Sequence, residues 1–137
     1  GSVPAATIQA FEDAGFFRIL QPALYGGYEY WPTVFYEVVA ILAQGCPSSA
    51  WVLSVLGIHN WEAGLVDPAV AEALWAVDSN VRFSSSYAPF GKARRVAGGY
   101  RLEGRWPWSS GCDHADCVIL GCDAELADGT FNRVAAL

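Results

Sequence analysis

The sequence predicts an α+β fold, with a helical domain over residues 1–80 followed by the beginning of a β domain over 81–137. Three observations predict it. From Pro4 to about Ala76 the apolar residues recur at helical spacing, and from Val81 onward they sit in short hydroxyl-rich or β-branched runs separated by glycine turns. Between them, Asp78-Ser79-Asn80 marks the change. The third is an apolar excess: 53% hydrophobic residues, six Trp, seven Phe and six Tyr in 137 residues, with mean hydropathy +0.25. A lone small domain rarely hides so much, so we expect either a large interface or, preferably, part of a bigger fold.

The elements follow in order. Thr7 to Ala14 reads as a short helix with Ile8 and Phe11 on one face and Gly15 as its stop. Phe16 to Pro22 reads as extended and Tyr25-Gly26-Gly27-Tyr28 as a turn. Pro32 suits a first helical position, and Val34, Phe35, Val38, Val39, Ile41 and Leu42 continue that helix to Gly45. Pro47-Ser48-Ser49 opens the next helix. Its Trp51, Val52, Val55, Leu56, Ile58 and His59 leave almost no polar face, which predicts burial all round. Asp67 is the expected cap of a helix from Pro68 through Trp75.

In the second half, Val81 to Tyr87 reads as a strand. Lys92 to Val96 and Tyr100 to Glu103 flank the hairpin turn Ala97-Gly98-Gly99. Trp106 to Ser109 and Cys117 to Cys122 read as two more strands, Asp128-Gly129 as a turn, and Phe131 to Leu137 as a strand opening with nothing after it. The sheet is unfinished.

Charge and cysteine content narrow the function. A net charge of −6 and a pI near 4.7 argue against nucleic acid, whose phosphates need clustered Lys and Arg. No apolar run approaches the ~20 residues of a membrane span, and no signal-peptide pattern is present. Cys46, Cys112, Cys117 and Cys122 are expected reduced in a cytoplasmic protein. The run Cys112-x-His114-x2-Cys117-x4-Cys122 fits none of the usual zinc spacings, so core filling is preferred and no metal is expected. Ser109, Ser110, Asp113 and His114 cluster, yet no GxSxG elbow marks a nucleophile, and no GxGxxG or GxxxxGK[ST] loop marks a phosphate site. Trp106-Pro107-Trp108-Ser109-Ser110-Gly111 is more suggestive. Its indoles offer a flat apolar wall and its hydroxyls hydrogen-bond a polar edge, while a tryptophan-rich strand packing the core is the equal alternative.

The stretches AGFFRILQPALYGGYE (14–29), GCPSSAWVLSVLGIHNW (45–61) and SSSYAPFGKARRVAGGYRLEGRWPWSSGCDHADCVILG (84–121) carry a resemblance. In that order they resemble the N-terminal part of flavin-dependent aromatic hydroxylases of the acyl-CoA dehydrogenase superfamily. These are oxygenase components of two-component monooxygenases acting on 4-hydroxyphenylacetate or a phenolic secosteroid. The resemblance implies an N-terminal helical domain, a central β-barrel-like domain whose start is present, and a C-terminal four-helix bundle, absent here, that builds a homotetramer.

It also implies a chemistry. FMNH2 or FADH2 from a separate flavin reductase reacts with O2, and a C4a-hydroperoxyflavin hydroxylates a phenolic or polycyclic aromatic substrate ortho to its hydroxyl. Trp108, Ser109 and Ser110 would line the isoalloxazine, with Ser110 near N5. His59, Ser85 and Tyr87 would meet the phenol, His59 taking or bonding its proton. His59, Ser85 and Ser110 are thus the implied catalytic residues. Ser84 and Ser86 stand one register step from Ser85; Asn60 and Trp61 shape the pocket or the core, and His114 is a turn residue or a supporting donor. Arg94 and Arg95 would meet a flavin phosphate from a neighbouring subunit, or remain solvated. The rest of the flavin-phosphate site and a second histidine would lie in the missing region. Two alternatives stand beside this reading: an acyl-CoA dehydrogenase-type oxidoreductase, and a non-catalytic fragment or split subunit that needs a complementary C-terminal chain.

Overall fold

The computed structural model describes residues 2–137. It is α+β, with four α-helices followed by a four-stranded sheet, and it divides into two compact units. One unit comprises residues 1–84 together with 110–117; the other comprises 85–109 and 118–137.

In the helical unit, α1 (Ala5–Asp13) buries Ile8 and Phe11 and ends at Gly15, whose φ of +73° is the left-handed conformation a glycine stop supplies. The next residues depart from the extended reading. Phe16–Arg18 is a turn of 3-10 helix that drives Phe17 inward, where its ring meets Phe11 edge-on at 6.4 Å. Local hydrogen bonding after the Gly15 reversal, which apolar spacing does not reveal, sets this geometry. A second 3-10 turn, Ala23–Tyr25, ends at Gly26 (φ +89°), and the chain then folds back so that Tyr28 and Tyr30 N–H groups donate to the Arg18 and Ile19 carbonyls.

Helices α2 (Pro32–Gly45) and α3 (Pro47–Ala63) each carry proline at the first position and pack on one another. Their contact turns on Phe35 and Gly57. Phe35 is fully buried, and a Cβ added at Gly57 would lie 2.5 Å from its ring, so only glycine admits the ring this close. Leu53 and Leu56 complete this core with Ile8, Phe11, Phe17, Ile19 and Leu20. Burial of α3 all round does not hold: Trp51 is 62% exposed and Trp61 48%. The helix buries one face against α2 and the Phe16–Arg18 turn, with Val52 and Ile58 half-buried at its margin.

Asp67 caps α4 (Pro68–Trp75), its carboxylate accepting the Ala69 N–H at 2.9 Å. Asp67→Ala is expected to cost ~1 kcal/mol, the usual worth of such a cap, measured as a lowered urea midpoint at unchanged m-value.

In the other unit, the two strands expected at Val81–Tyr87 and Lys92–Val96 are one, β1 (Phe83–Val96), whose first two residues belong to the helical unit. The strand runs without a break through Pro89 and Gly91, which lie between the two expected runs. It turns at Gly98 (φ +83°) into β2 (Gly99–Gly104), with Lys92 opposite Glu103 and Arg94 opposite Arg101. Trp106–Ser109 forms no strand. Instead the Trp106 indole covers Gly91 and Gly104, and its N–H donates to the Gly121 carbonyl at 2.9 Å. β3 (Cys117–Glu125) pairs antiparallel with β4 (Phe131–Ala136) through the Asp128-Gly129 turn, giving the order β2-β1-β3-β4. Among the described residues, no helix is long and apolar enough to cross a membrane.

Candidate functional site

The helical unit holds the polar residues most costly to bury. His59 is 3% and Asn60 1% exposed, both on α3. Asn60 Nδ2 donates to the Phe17 carbonyl at 2.8 Å, tying α3 to the 3-10 turn. His59 Nδ1 lies 3.2 Å from Glu62 Oε2, one helical turn on. Burial pushes the His59 pKa below the ordinary imidazole value, and the Glu62 carboxylate opposes that shift without reversing it. His59 is therefore a neutral base near pH 7.

The loop that re-enters this unit at Ser110 supplies a second group. Gly111 adopts φ +78°, and a Cβ there would lie 2.9 Å from Leu56, so glycine lets the loop lie against α3. This seats Ser110, whose hydroxyl oxygen accepts the Trp51 indole N–H at 3.1 Å. A short 3-10 turn, Cys112–His114, follows, and the His114 ring nitrogen Nε2 lies 2.9 Å from the Val3 carbonyl. His114 is thus a structural tie. A cleft of about 790 Å³ runs here, lined in part by Ser48, Ser49, Trp51, Gly111, Asp113 and His114.

Ser85, Tyr87, Trp108 and Ser109 belong to the sheet unit. On β1, Ser85 and Tyr87 alternate with Ser84 and Ser86; the latter pair is buried, Ser85 half-buried and Tyr87 exposed. Trp108 is 81% exposed. Arg94 and Arg95 are exposed on β1, the Arg94 guanidinium 6.0 Å from the Phe131 ring centroid. The four cysteines grade from exposed Cys46 and Cys112 through Cys117 to buried Cys122, and among the described residues no cluster of His, Cys, Asp or Glu is placed to hold a metal.

Two further residues, Trp51 and Glu62, contact the expected site residues. Trp51 lies 59 positions from Ser110, a pairing that spacing cannot reveal. Glu62 was within reach, since His59 and Glu62 stand at i and i+3 on a helix.

A flat, apolar, partly polar-edged ligand suits what is present. Within the helical unit, Ser110 offers a hydroxyl whose oxygen is already fixed, and the cleft a volume within the ordinary range for small-molecule sites. An isoalloxazine ring fits that chemistry. A phosphate does not find its partners in the same cleft, whose described lining includes Asp113 and no Lys or Arg.

Known proteins match the chain closely. It is 46% identical over 119 residues to the flavin-dependent monooxygenase oxygenase subunit HsaA of Rhodococcus jostii, covering 87% of this chain and 31% of that protein. It is 38% identical over 127 residues to the oxygenase component of p-hydroxyphenylacetate 3-hydroxylase from Acinetobacter baumannii, covering 93% of this chain and 30% of that one. The crystal structure of 3-HSA hydroxylase from Rhodococcus sp. RHA1 superposes with a TM-score of 0.91 at 43% identity, over 98% of this chain and 35% of that one. Its fold is that of the acyl-CoA dehydrogenase-like flavin monooxygenases. No family model matches the chain. The chain spans about a third of the length of the relatives it matches.

Proposed function

We propose, from the premise that the chain is homologous to oxygenase components of flavin-dependent aromatic hydroxylases, that the protein carrying it hydroxylates a phenolic substrate with reduced flavin and O2. A separate reductase would supply FMNH2 or FADH2. The observation that carries the reading is the Ser110 hydroxyl held by the Trp51 indole, two residues beyond the uncovered Trp108.

The residues divide the work. Trp108 provides an apolar face for the isoalloxazine, and Ser109 and Ser110 present hydroxyls to its polar edge. Bound reduced flavin supplies the electrons that activate O2 for insertion of one oxygen atom. Because the Trp51 N–H already donates to the Ser110 oxygen, that hydroxyl's own proton is left to serve as a donor to the ligand. His59, neutral and buried, accepts the phenol proton and so raises electron density at the ortho carbon. Ser85 and Tyr87, on one face of β1, offer hydroxyls that orient the phenol oxygen.

The test is coupling, the fraction of reduced flavin consumed that ends in hydroxylated product. Ser110→Ala in the full-length protein is expected to lower coupling ~10-fold, the worth of about one hydrogen bond, with the balance released as hydrogen peroxide. Unchanged coupling would remove Ser110 from the flavin edge.

A further inference from the structure

We infer that Glu62 is the positioning residue of His59, fixing the imidazole's tautomer so that Nε2 is the atom that takes the substrate proton. The inference rests on the reading of His59 as the base that meets the phenol, and it goes beyond that reading by assigning a role to a residue outside the implied site.

Backbone geometry sets the direction of the His59 Cα–Cβ bond, and the Asn60 side chain anchors the adjacent residue to the Phe17 carbonyl, which locks the rotation of α3 here. Neither constraint chooses between the two neutral imidazole tautomers. Inside an α-helix the nearby backbone carbonyls are already engaged, which leaves the choice to other groups that reach the ring. Glu62 stands at i+3 on the same face with Oε2 3.2 Å from Nδ1, and a carboxylate accepts but does not donate. The proton therefore resides on Nδ1, and the ring's lone pair is on Nε2.

The same pair prepares the product of proton transfer. When the phenol O–H bond breaks and an Nε2–H bond forms, a phenolate and an imidazolium result, and the Nδ1 proton stays in its hydrogen bond. The imidazolium then faces a carboxylate instead of an apolar wall, which matters because its burial disfavours the charged ring. The segments packed on α3 bring other titratable groups, Arg18 from the 3-10 turn, Glu37 from α2, and Asp113 and His114 from the loop that returns at Ser110, whereas the His59 shift arises from burial and Glu62. The Glu62 carboxylate raises the pKa against the effect of burial. Glu62 itself is partly exposed, with 34% of its side chain accessible, so its effect is that of one screened charge-assisted bond.

The test uses full-length protein labelled with ¹⁵N-histidine, with His59→Ala identifying the resonances. The imidazole nitrogen shifts are expected to report a proton on Nδ1 in the wild type. In Glu62→Gln the His59 titration midpoint is expected to move to lower pH, the tautomers to mix, and hydroxylation to fall ~10-fold with reduced-flavin oxidation unchanged. An unchanged tautomer and midpoint in Glu62→Gln would overturn the inference, even with slower hydroxylation, since the loss would then come from packing. Full hydroxylation by His59→Ala would instead overturn the base reading. The nitrogen shifts would still report on the pair, so the two failures are distinguishable.

Discussion

Replacing His59 by alanine is expected to slow hydroxylation of the bound phenol by ~10²–10⁴-fold, the range a positioned general base supplies. Consumption of reduced flavin by O2 should continue, because the site implied for the flavin involves Trp108 and Ser110 rather than His59. The result would be uncoupling: hydrogen peroxide in place of product. The expectation comes from His59 being nearly fully buried yet neutral, held on α3 beside Glu62. A histidine that merely packs would behave otherwise. Its removal would lower stability and leave the product-to-peroxide ratio unchanged. The ratio, measured alongside the melting temperature, separates the two. The pH dependence follows with a definite sign. Since burial lowers the His59 pKa, the base form persists to lower pH than for a solvent-exposed histidine, and coupling should be lost only below that lowered value.

The largest effect on stability is expected at Phe35. Phe35→Ala removes a fully buried ring from between α2 and α3 and should cost ~3–5 kcal/mol, because the Gly57 backbone opposite cannot move in to fill the void. Gly57→Ala is the reciprocal probe: it overfills the same contact and should cost ~1–3 kcal/mol. Both are measured by urea unfolding followed by tryptophan fluorescence. The pair also bears on chemistry, since Gly57 is two residues from His59 and sets how closely α3 lies against α2. A Phe35→Ala protein unfolding at the wild-type midpoint would mean that this contact does not hold the helices together.

How much was legible in advance depended on how local each signal was. Proline at the first position of α2 and α3, the Asp67 cap and the Gly15 stop are all one-turn effects, and all are found where the residues place them. The Gly98 hairpin and the Asp128-Gly129 turn are equally local. The Phe16–Arg18 turn differs from the extended expectation because a short apolar run such as Phe16-Phe17-Arg18-Ile19-Leu20 carries no period of its own, and the Gly15 reversal sets its geometry. The continuity of β1 through Pro89 and Gly91 was hidden as well, since it depends on the pairing of a long strand. Trp106 was read as a strand residue because its partners, Gly91, Gly104 and Gly121, are scattered through the chain. At the site, the chemical types at His59, Ser85 and Ser110 were nameable, whereas the Trp51 indole on the Ser110 oxygen required the fold. Trp51, Trp61 and Trp108 are all substantially exposed, and the two-thirds of the relatives' length outside this chain offers a physical account of the apolar excess.

The measurement that bears most directly on the central claim is isotopic. Full-length protein is mixed with chemically reduced flavin, ¹⁸O2 and a simple phenol, and the organic product is analysed by mass. Monooxygenation predicts a catechol-type product carrying a single ¹⁸O atom, formed without an acyl-CoA. Absence of ¹⁸O from any product, together with reduction of oxidised flavin by an acyl-CoA, would contradict it and place the protein with the dehydrogenases.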